Sequence, residues 1–299
     1  MVTIIPSGLD SQQRHHLLIS TICPRPVALA STIDKNGNTN LAPFSFFNAF
    51  SSTPPILIFS PNTTGRGGKK KDTLINIEET GEVVINIVSY SIARQMVIAG
   101  YDFDTGVSEF DKSGLTPLKS QFVKPLRVAE SPVQFECKVI EVKSLGGEPG
   151  AANLIISEIL AIHIKPDILD HKNRVDPMKY DVVGRLGGFG YARITPGVVF
   201  DLPQGKALPV GFDAIPNFIK RSDLFSTAEL CELAEAETLP ESSRIEAFAQ
   251  SEEFAKALET KPTEAKDILN WAAKMVKESI NQGEIEKAWL FLNALELTG

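Results

Sequence analysis

No stretch of this chain reaches the run of about 18 apolar residues that a bilayer-spanning helix needs, so no membrane segment is expected. The opening residues, Met1 to Pro6, lack a basic region followed by an apolar core, and no secretory signal is expected there. Cysteine is scarce. Cys23, Cys137 and Cys231 are odd in number and widely spaced, which excludes a disulfide framework and leaves no pair at metal-ligand spacing. Reduced thiols fit a cytoplasmic location. No Ser-His-Asp or Cys-His arrangement has local support. Positive charge is also in deficit: the net charge is -7, which argues against general nucleic-acid binding. What remains is an ordinary globular composition, 43% hydrophobic over 299 residues, long enough for one large domain or two moderate ones.

The pattern changes near residue 205. Before it, strand and turn signals dominate. Pro26–Ile33 reads as a strand entering the Asn36-Gly37 turn, where both residues tolerate positive φ. The chain returns through Thr39–Ala42 to Pro43–Asn48. Further strands are read at Ile56–Phe59, Val83–Val88, Val133–Val139 and Asn153–Ile164, with Val198–Phe200 as a closing candidate. Ser91 is a candidate cap for a short helix stopped by Gly100, and residues 101–130 show no periodicity. Six or seven strands with few helices predict a closed or partly closed β-barrel over residues 1–205. Residues 206–299 read as a helical extension. Ser226–Glu229 forms a capping box, a helix is read at Glu241–Leu258, and Thr263 is a candidate cap for Glu264–Asn281. Ala265, Ile268/Leu269, Ala272, Val276 and Ile280 form that last helix's apolar stripe.

Two stretches carry chemistry. Ser60–Asn76 runs from a strand through glycines and four cations (Arg66, Lys69, Lys70, Lys71) to the helix start Asp72-Thr73. Helix N-termini, glycine backbone and lysines together make an anion cradle, although a solvated basic loop has the same composition. The spacing does not spell a nucleotide P-loop. In the cradle reading, Lys71 supplies charge, the Asp72 and Thr73 amides donate, and the Thr73 and Ser60 hydroxyls complete the shell. Asn40–Asn48 is either a bulged core strand or a wall for a flat heterocycle, with main-chain groups reading its polar edge. Gly184–Tyr191 fits a dinucleotide turn poorly and reads as a loop presenting Arg185 and Tyr191. His163, in a strand, is a candidate acid or a satisfied structural histidine. His171 among Asp167, Asp170 and Asp176 reads as a solvated acidic turn rather than a metal site.

Taken together, Arg25–Thr32, Asn40–Asn48, Lys70–Ile77, Val128–Cys137 and Arg185–Gly188 resemble the flavin reductase-like family, the FMN-binding split barrels, in order over roughly residues 10–200. The resemblance implies a mainly β split barrel with FMN at the interface of a homodimer, followed here by the helical extension. It implies that Arg25, Ser31, Thr32, Ala42, Pro43, Ser45, Phe46, Phe47 and Asn48 line the ring and ribityl chain. Ser60, Lys71, Asp72 and Thr73 would hold the phosphate. NAD(P)H is the implied co-substrate, delivering hydride to the flavin, with His163, Arg185 and Tyr191 as candidates at the open face and no side chain required as a base. The triple lysine and the tail depart from compact reductases. A flavin-binding electron carrier or sensor whose tail docks a protein partner is the second reading, and a phosphate- or nucleic-acid-binding module without flavin the third.

Overall fold

The computed structural model describes all residues except Gly65, Arg66, Pro203, Gln204, Lys206 and Gly299. The side chains of Ala265, Lys266, Glu296, Leu297 and Thr298 are also outside the description. The chain forms two compact units, Met1–Phe200 and Asp201–Gly299.

In the first unit, helix α1 (Ser11–Thr21) precedes strands β1 (Ala28–Ile33), β2 (Thr39–Phe44), β3 (Phe47–Ser52) and β4 (Pro55–Phe59). Helix α2 (Asp72–Thr80) leads to β5 (Glu82–Ile87), then α3 (Ala93–Ala99) and α4 (Glu109–Ser113). The short pair β6 (Pro117–Leu118) and β7 (Arg127–Val128) precedes the two longest strands, β8 (Val133–Ser144) and β9 (Asn153–Ile164). Helix α5 (Pro177–Tyr180) and the hairpin β10 (Val183–Arg185), β11 (Tyr191–Arg193) follow.

Seven strands form one sheet in the order β2-β1-β5-β8-β9-β4-β3, every pairing antiparallel. The edge strands β2 and β3 are separated in sequence by Ser45 and Phe46 alone. Three Cα–Cα steps span at most about 11 Å, so the two edges of the sheet meet there and the sheet must curl into a barrel. The seam stays open, because β2 and β3 do not pair with each other. Side chains alternate across β1. Ala28 and Ala30 pack inside with Phe59, Ile85 and Ile155, and with Leu74 and Ile77 of α2. Leu29 faces the other way, towards Met96 of α3 and Phe110 of α4.

Several expectations are corrected. Val198–Phe200 is no strand; Pro196–Val198 forms a 3-10 turn, since proline followed by glycine suits a turn better than a ladder. Ser91 lies within a 3-10 turn before α3 and bonds the Ser89 hydroxyl rather than capping a helix. The stretch read as one run to Asn48 is two strands on opposite edges.

The second unit contains α6 (Asn217–Lys220), α7 (Thr227–Ala234), α8 (Ser242–Ala249), α9 (Glu252–Glu259), α10 (Ala265–Asn281) and α11 (Ile285–Thr298). Its core gathers Phe254, Trp271, Val276, Trp289 and Phe291. The Trp289 indole N–H reaches the Leu233 carbonyl at 3.0 Å, so its polar tip is satisfied while its body is buried. The Ser226–Glu229 capping box is present. The helix expected over Glu241–Leu258 is broken, because the Ser251 side chain caps a new helix at Glu252. Glu264, not Thr263, occupies the cap position of α10. Of its expected stripe, Ala272, Val276 and Ile280 are buried and Ile268 packs against the core, whereas Leu269 is exposed.

Candidate functional site

The open seam of the barrel carries a cleft of ≈ 440 Å³. The Ser45–Phe46 crossing forms its floor with Pro43 and Phe44; Ser60 and Asn62–Thr64 follow β4, and Lys71 stands at the cap of α2. The Ser60 amide donates to the Phe46 carbonyl at 2.9 Å, tying the crossing to the β4 end. Arg25 and Arg185 complete the wall, and His15 and Ile19 of α1 overlook it.

Arg25 is the centre of this arrangement. It is buried, and its guanidinium donates to the carbonyls of Ile19 (2.6 Å), Ile22 (2.5 Å) and Leu186 (3.3 Å) and to the Ser45 hydroxyl (3.4 Å). It thereby joins the end of α1, the barrel crossing and the β10–β11 loop. Among the described residues no carboxylate pairs with it. Burial, and then the nearby Arg185 charge, lower its pKa, yet an arginine stays protonated. A buried cation without a counter-charge is costly, and an anion in the cleft would relieve it. Phe46 lies edge-on to His15 at 6.2 Å, with the Arg25 guanidinium 5.9 Å from its ring.

Lys71 Nζ is 3.8 Å from the exposed Asp102 carboxylate, a loose pair that an incoming anion can outcompete. Asp72 and Thr73 begin α2, so their amides precede the first intrahelical acceptor. The Ser60 hydroxyl is 3.0 Å from Asn62 Oδ1. Lys70 pairs with Glu78 at 2.7 Å, which draws it from the cleft, and the Arg66 expectation lies outside the described residues.

Of the residues singled out in the sequence, Arg25, Pro43, Ser45, Phe46, Ser60, Lys71 and Arg185 therefore meet in one cleft. Others do not line it. Thr32 of β1 and Thr73 in the first turn of α2 are buried where the helix meets the sheet: Asn40 Nδ2 donates to Thr73 Oγ1 (2.9 Å) and Thr32 Oγ1 (3.2 Å), and Asn76 Nδ2 donates to Thr32 (3.1 Å). This network fixes where α2 starts. Ser31, one residue along β1, points to the opposite face, and among the described residues its buried hydroxyl has no hydrogen-bond partner. The Asp72 side chain lies in a separate polar cleft with Asn40, Asn76 and Glu109 and accepts from Thr105 at 3.2 Å. Ala42 and Phe47 pack against the barrel core. Asn48 is exposed on β3 and accepts from the Ala49 amide.

His163 lies away from the seam cleft: its Nε2 meets the buried Glu136 carboxylate at 2.8 Å, and it is not among the residues that line the cleft. Burial pushes the Glu136 carboxyl up, but the Gln121 and Phe122 amides and His163 outweigh it, so its pKa is lowered. Tyr191 lies under the Arg185 guanidinium at 4.5 Å and lines a distinct apolar groove with Tyr90. No group of three or more His, Cys, Asp or Glu with metal-binding geometry occurs among the described residues. His15 is read from the sequence as a surface residue and Ile19 and Asp102 carry no signal there, whereas Asn62 and Thr63 fall within the Ser60–Asn76 stretch without a role assigned to them; all five line the cleft.

The cleft fits a flat phosphorylated cofactor: an aromatic and prolyl floor, a buried unpaired guanidinium, and a lysine beside a helix N-terminus. A curled antiparallel sheet with such a seam defines the flavin-binding split barrels. A sequence model of the flavin reductase-like domain matches residues 20–180. The chain belongs to the flavin reductase-like family. Nitrilotriacetate monooxygenase component B from Bacillus cereus is 29% identical, with a TM-score of 0.63 over 68% of this chain and 98% of that one. The 2-nitrobenzoate 2-nitroreductase of Pseudomonas fluorescens is 31% identical, with a TM-score of 0.60 over 68% and 96%. A split-barrel flavin reductase structure from Shewanella frigidimarina gives 25% identity and a TM-score of 0.58 over 67% and 96%.

Proposed function

We propose that this protein binds FMN in the seam cleft and acts as an NAD(P)H-dependent oxidoreductase on bound or exchangeable flavin or a small acceptor. The observation that carries the reading is Arg25, a buried cation without a carboxylate on the wall of a cleft floored by Pro43–Phe46. When bound, the flavin supplies the redox chemistry, taking hydride from a nicotinamide at N5. The protein's part is placement. Lys71 and the first amides of α2 hold the phosphate, and Pro43–Phe46 give the ring a fixed plane. Arg25 keeps that plane rigid through Ser45 and adds positive charge beside it. Relatives that reduce a nitroaromatic acid or serve a monooxygenase, at 31% and 29% identity, support an oxidoreductase role.

The dimer expected from the family also belongs to this proposal. β3 is an edge strand exposed along nearly its whole length, with Phe50 64% exposed, and such an edge invites pairing or cover. The second reading, a tail that docks a protein partner, has its own support. The matched region ends at residue 180, and residues 201–299 hold eighteen Asp/Glu against ten Lys/Arg, a net -8. The test is flavin content after exhaustive dialysis followed by FMN titration and anaerobic addition of NADH or NADPH. Near-stoichiometric flavin that bleaches with turnover is expected. A protein that cannot be reconstituted with FMN sinks the proposal, and bleaching without turnover favours the carrier.

A further inference from the structure

A second cavity of ≈ 890 Å³ adjoins the seam cleft and shares His15, Phe46, Asn62 and Thr63 with it. One wall is the loop Glu148–Ala151, stapled to the β4 side of the barrel. The Thr63 amide donates to the Ala151 carbonyl (3.0 Å), the Gly150 amide to Thr63 Oγ1 (3.0 Å) and Asn62 Nδ2 to the Gly150 carbonyl (3.2 Å).

The other wall is α1, which, like α5 and α8, buries no residue. Helices of this length are held by packing of an apolar face, not by propensity alone. Here the ends are held instead: an Asp10–Gln13 capping box at the start, and the Arg25 guanidinium on the Ile19 and Ile22 carbonyls at the finish. A helix fixed by its ends leaves a face free for another task, and Arg14, His15 and Leu18 line the cavity.

The lining is mixed in a particular way. Leu18, Phe46 and Pro149 are apolar, Arg14 is a permanent cation, and Glu148 is the single carboxylate. With Arg25, Lys71 and Arg185 of the adjoining cleft, the joined space presents four permanent cations to two carboxylates, in a chain of net charge -7. Arg14, which also donates to the Leu9 carbonyl, is among the described residues the one Arg or Lys lining this cavity, so a ligand with a single anionic group is matched and a second negative charge finds only Glu148 as a charged neighbour there.

We propose that this cavity binds a small planar aromatic anion, its ring against Phe46 and Leu18 and its charged group at Arg14, as the second ligand beside the flavin. The assignment rests on the reading that the seam cleft holds FMN. The Arg14 contact discriminates by charge, since a hydrogen bond to an ionised partner is worth about twice a neutral one.

The test uses the full chain loaded with FMN, loading being read first from flavin absorbance. Benzoate and its neutral isostere benzamide are then titrated by calorimetry, with the flavin spectrum followed in parallel. Benzoate saturates one site and perturbs the flavin band without releasing flavin. Arg14→Gln weakens benzoate about tenfold and leaves benzamide within about twofold. Glu148→Gln tightens benzoate about threefold by removing the opposing charge. Absence of saturable benzoate binding to loaded protein overturns the inference, as does equal loss of both ligands in Arg14→Gln or release of flavin by benzoate. Failure to load FMN at all removes the flavin reading and this one with it.

Discussion

Arg25 and Lys71 are two cations of one cleft with different physical roles, and substitution separates them. Arg25→Leu strands the Ile19, Ile22 and Leu186 carbonyls, so it lowers stability by about 2–3 kcal/mol as well as weakening FMN. Lys71→Ala removes a half-exposed side chain in a loose pair; unfolding by urea stays within about 0.5 kcal/mol of the parent while FMN affinity falls about fivefold. Equal stability loss in both variants would contradict this division. Glu136 sets the acid limb. Its folded pKa lies below the ordinary 4.5, so its stabilising contribution is complete above the unfolded value and is lost as pH falls through the folded one. Denaturant midpoints should therefore drop below about pH 4.5 in the parent and lose that component of the slope in Glu136→Gln. Burial pushes the Cys137 thiol up to about 12, whereas Cys23 is exposed. A thiol reagent at neutral pH should label Cys23 in the native protein and reach Cys137 only on unfolding.

At the scale of elements, α2 is the piece that must not move. Its start is pinned by the Thr32–Asn40–Thr73–Asn76 network and its end by Gly81 in the left-handed region at φ 69°. Asn40→Ala removes two of those bonds from a buried site. It should cost about 1–3 kcal/mol and weaken FMN beyond what Lys71→Ala does, read by urea unfolding and flavin titration. Unchanged flavin affinity would separate the network from the cradle. This network also shows where sequence reading stops. The motif Lys71-Asp72-Thr73 was legible as a helix start beside charge, but which way Thr73 points depends on Asn40, thirty-three residues away. The long buried strands were legible because apolar periodicity records burial. β3 was not, because its residues Phe47–Ser52 are mostly exposed and carry no alternation. α1 was missed for the same reason: its capping box Asp10–Gln13 is visible in the sequence, but no apolar stripe follows it. Arg185 and Tyr191 read from the sequence as presented by one loop, but they are the paired ends of β10 and β11, and their stacking is a contact that spacing alone does not specify.

For the whole molecule, the division at residue 200 separates charge as well as structure. Residues 1–200 carry twenty Lys/Arg against nineteen Asp/Glu, so the entire acidity of the chain belongs to the tail. The tail has its own aromatic core of Phe254, Trp271, Trp289 and Phe291. A fragment of residues 201–299 should therefore fold cooperatively by circular dichroism, and residues 1–200 should retain FMN; a featureless spectrum from the tail fragment would show that its core is insufficient. The barrel was legible as a class from strand count and turns. The seam was not, because it follows from β2 and β3 lying on opposite edges, a fact of pairing and not of local sequence. The manner in which α1 is held has one more consequence. None of its residues is buried, so positions 11, 12 and 18, which line the second cavity but not the cofactor cleft, can be varied together at little cost to the fold. Selection, natural or in the laboratory, can then rewrite what this protein accepts on one exposed turn after another, while the machinery that holds the cofactor is inherited unchanged.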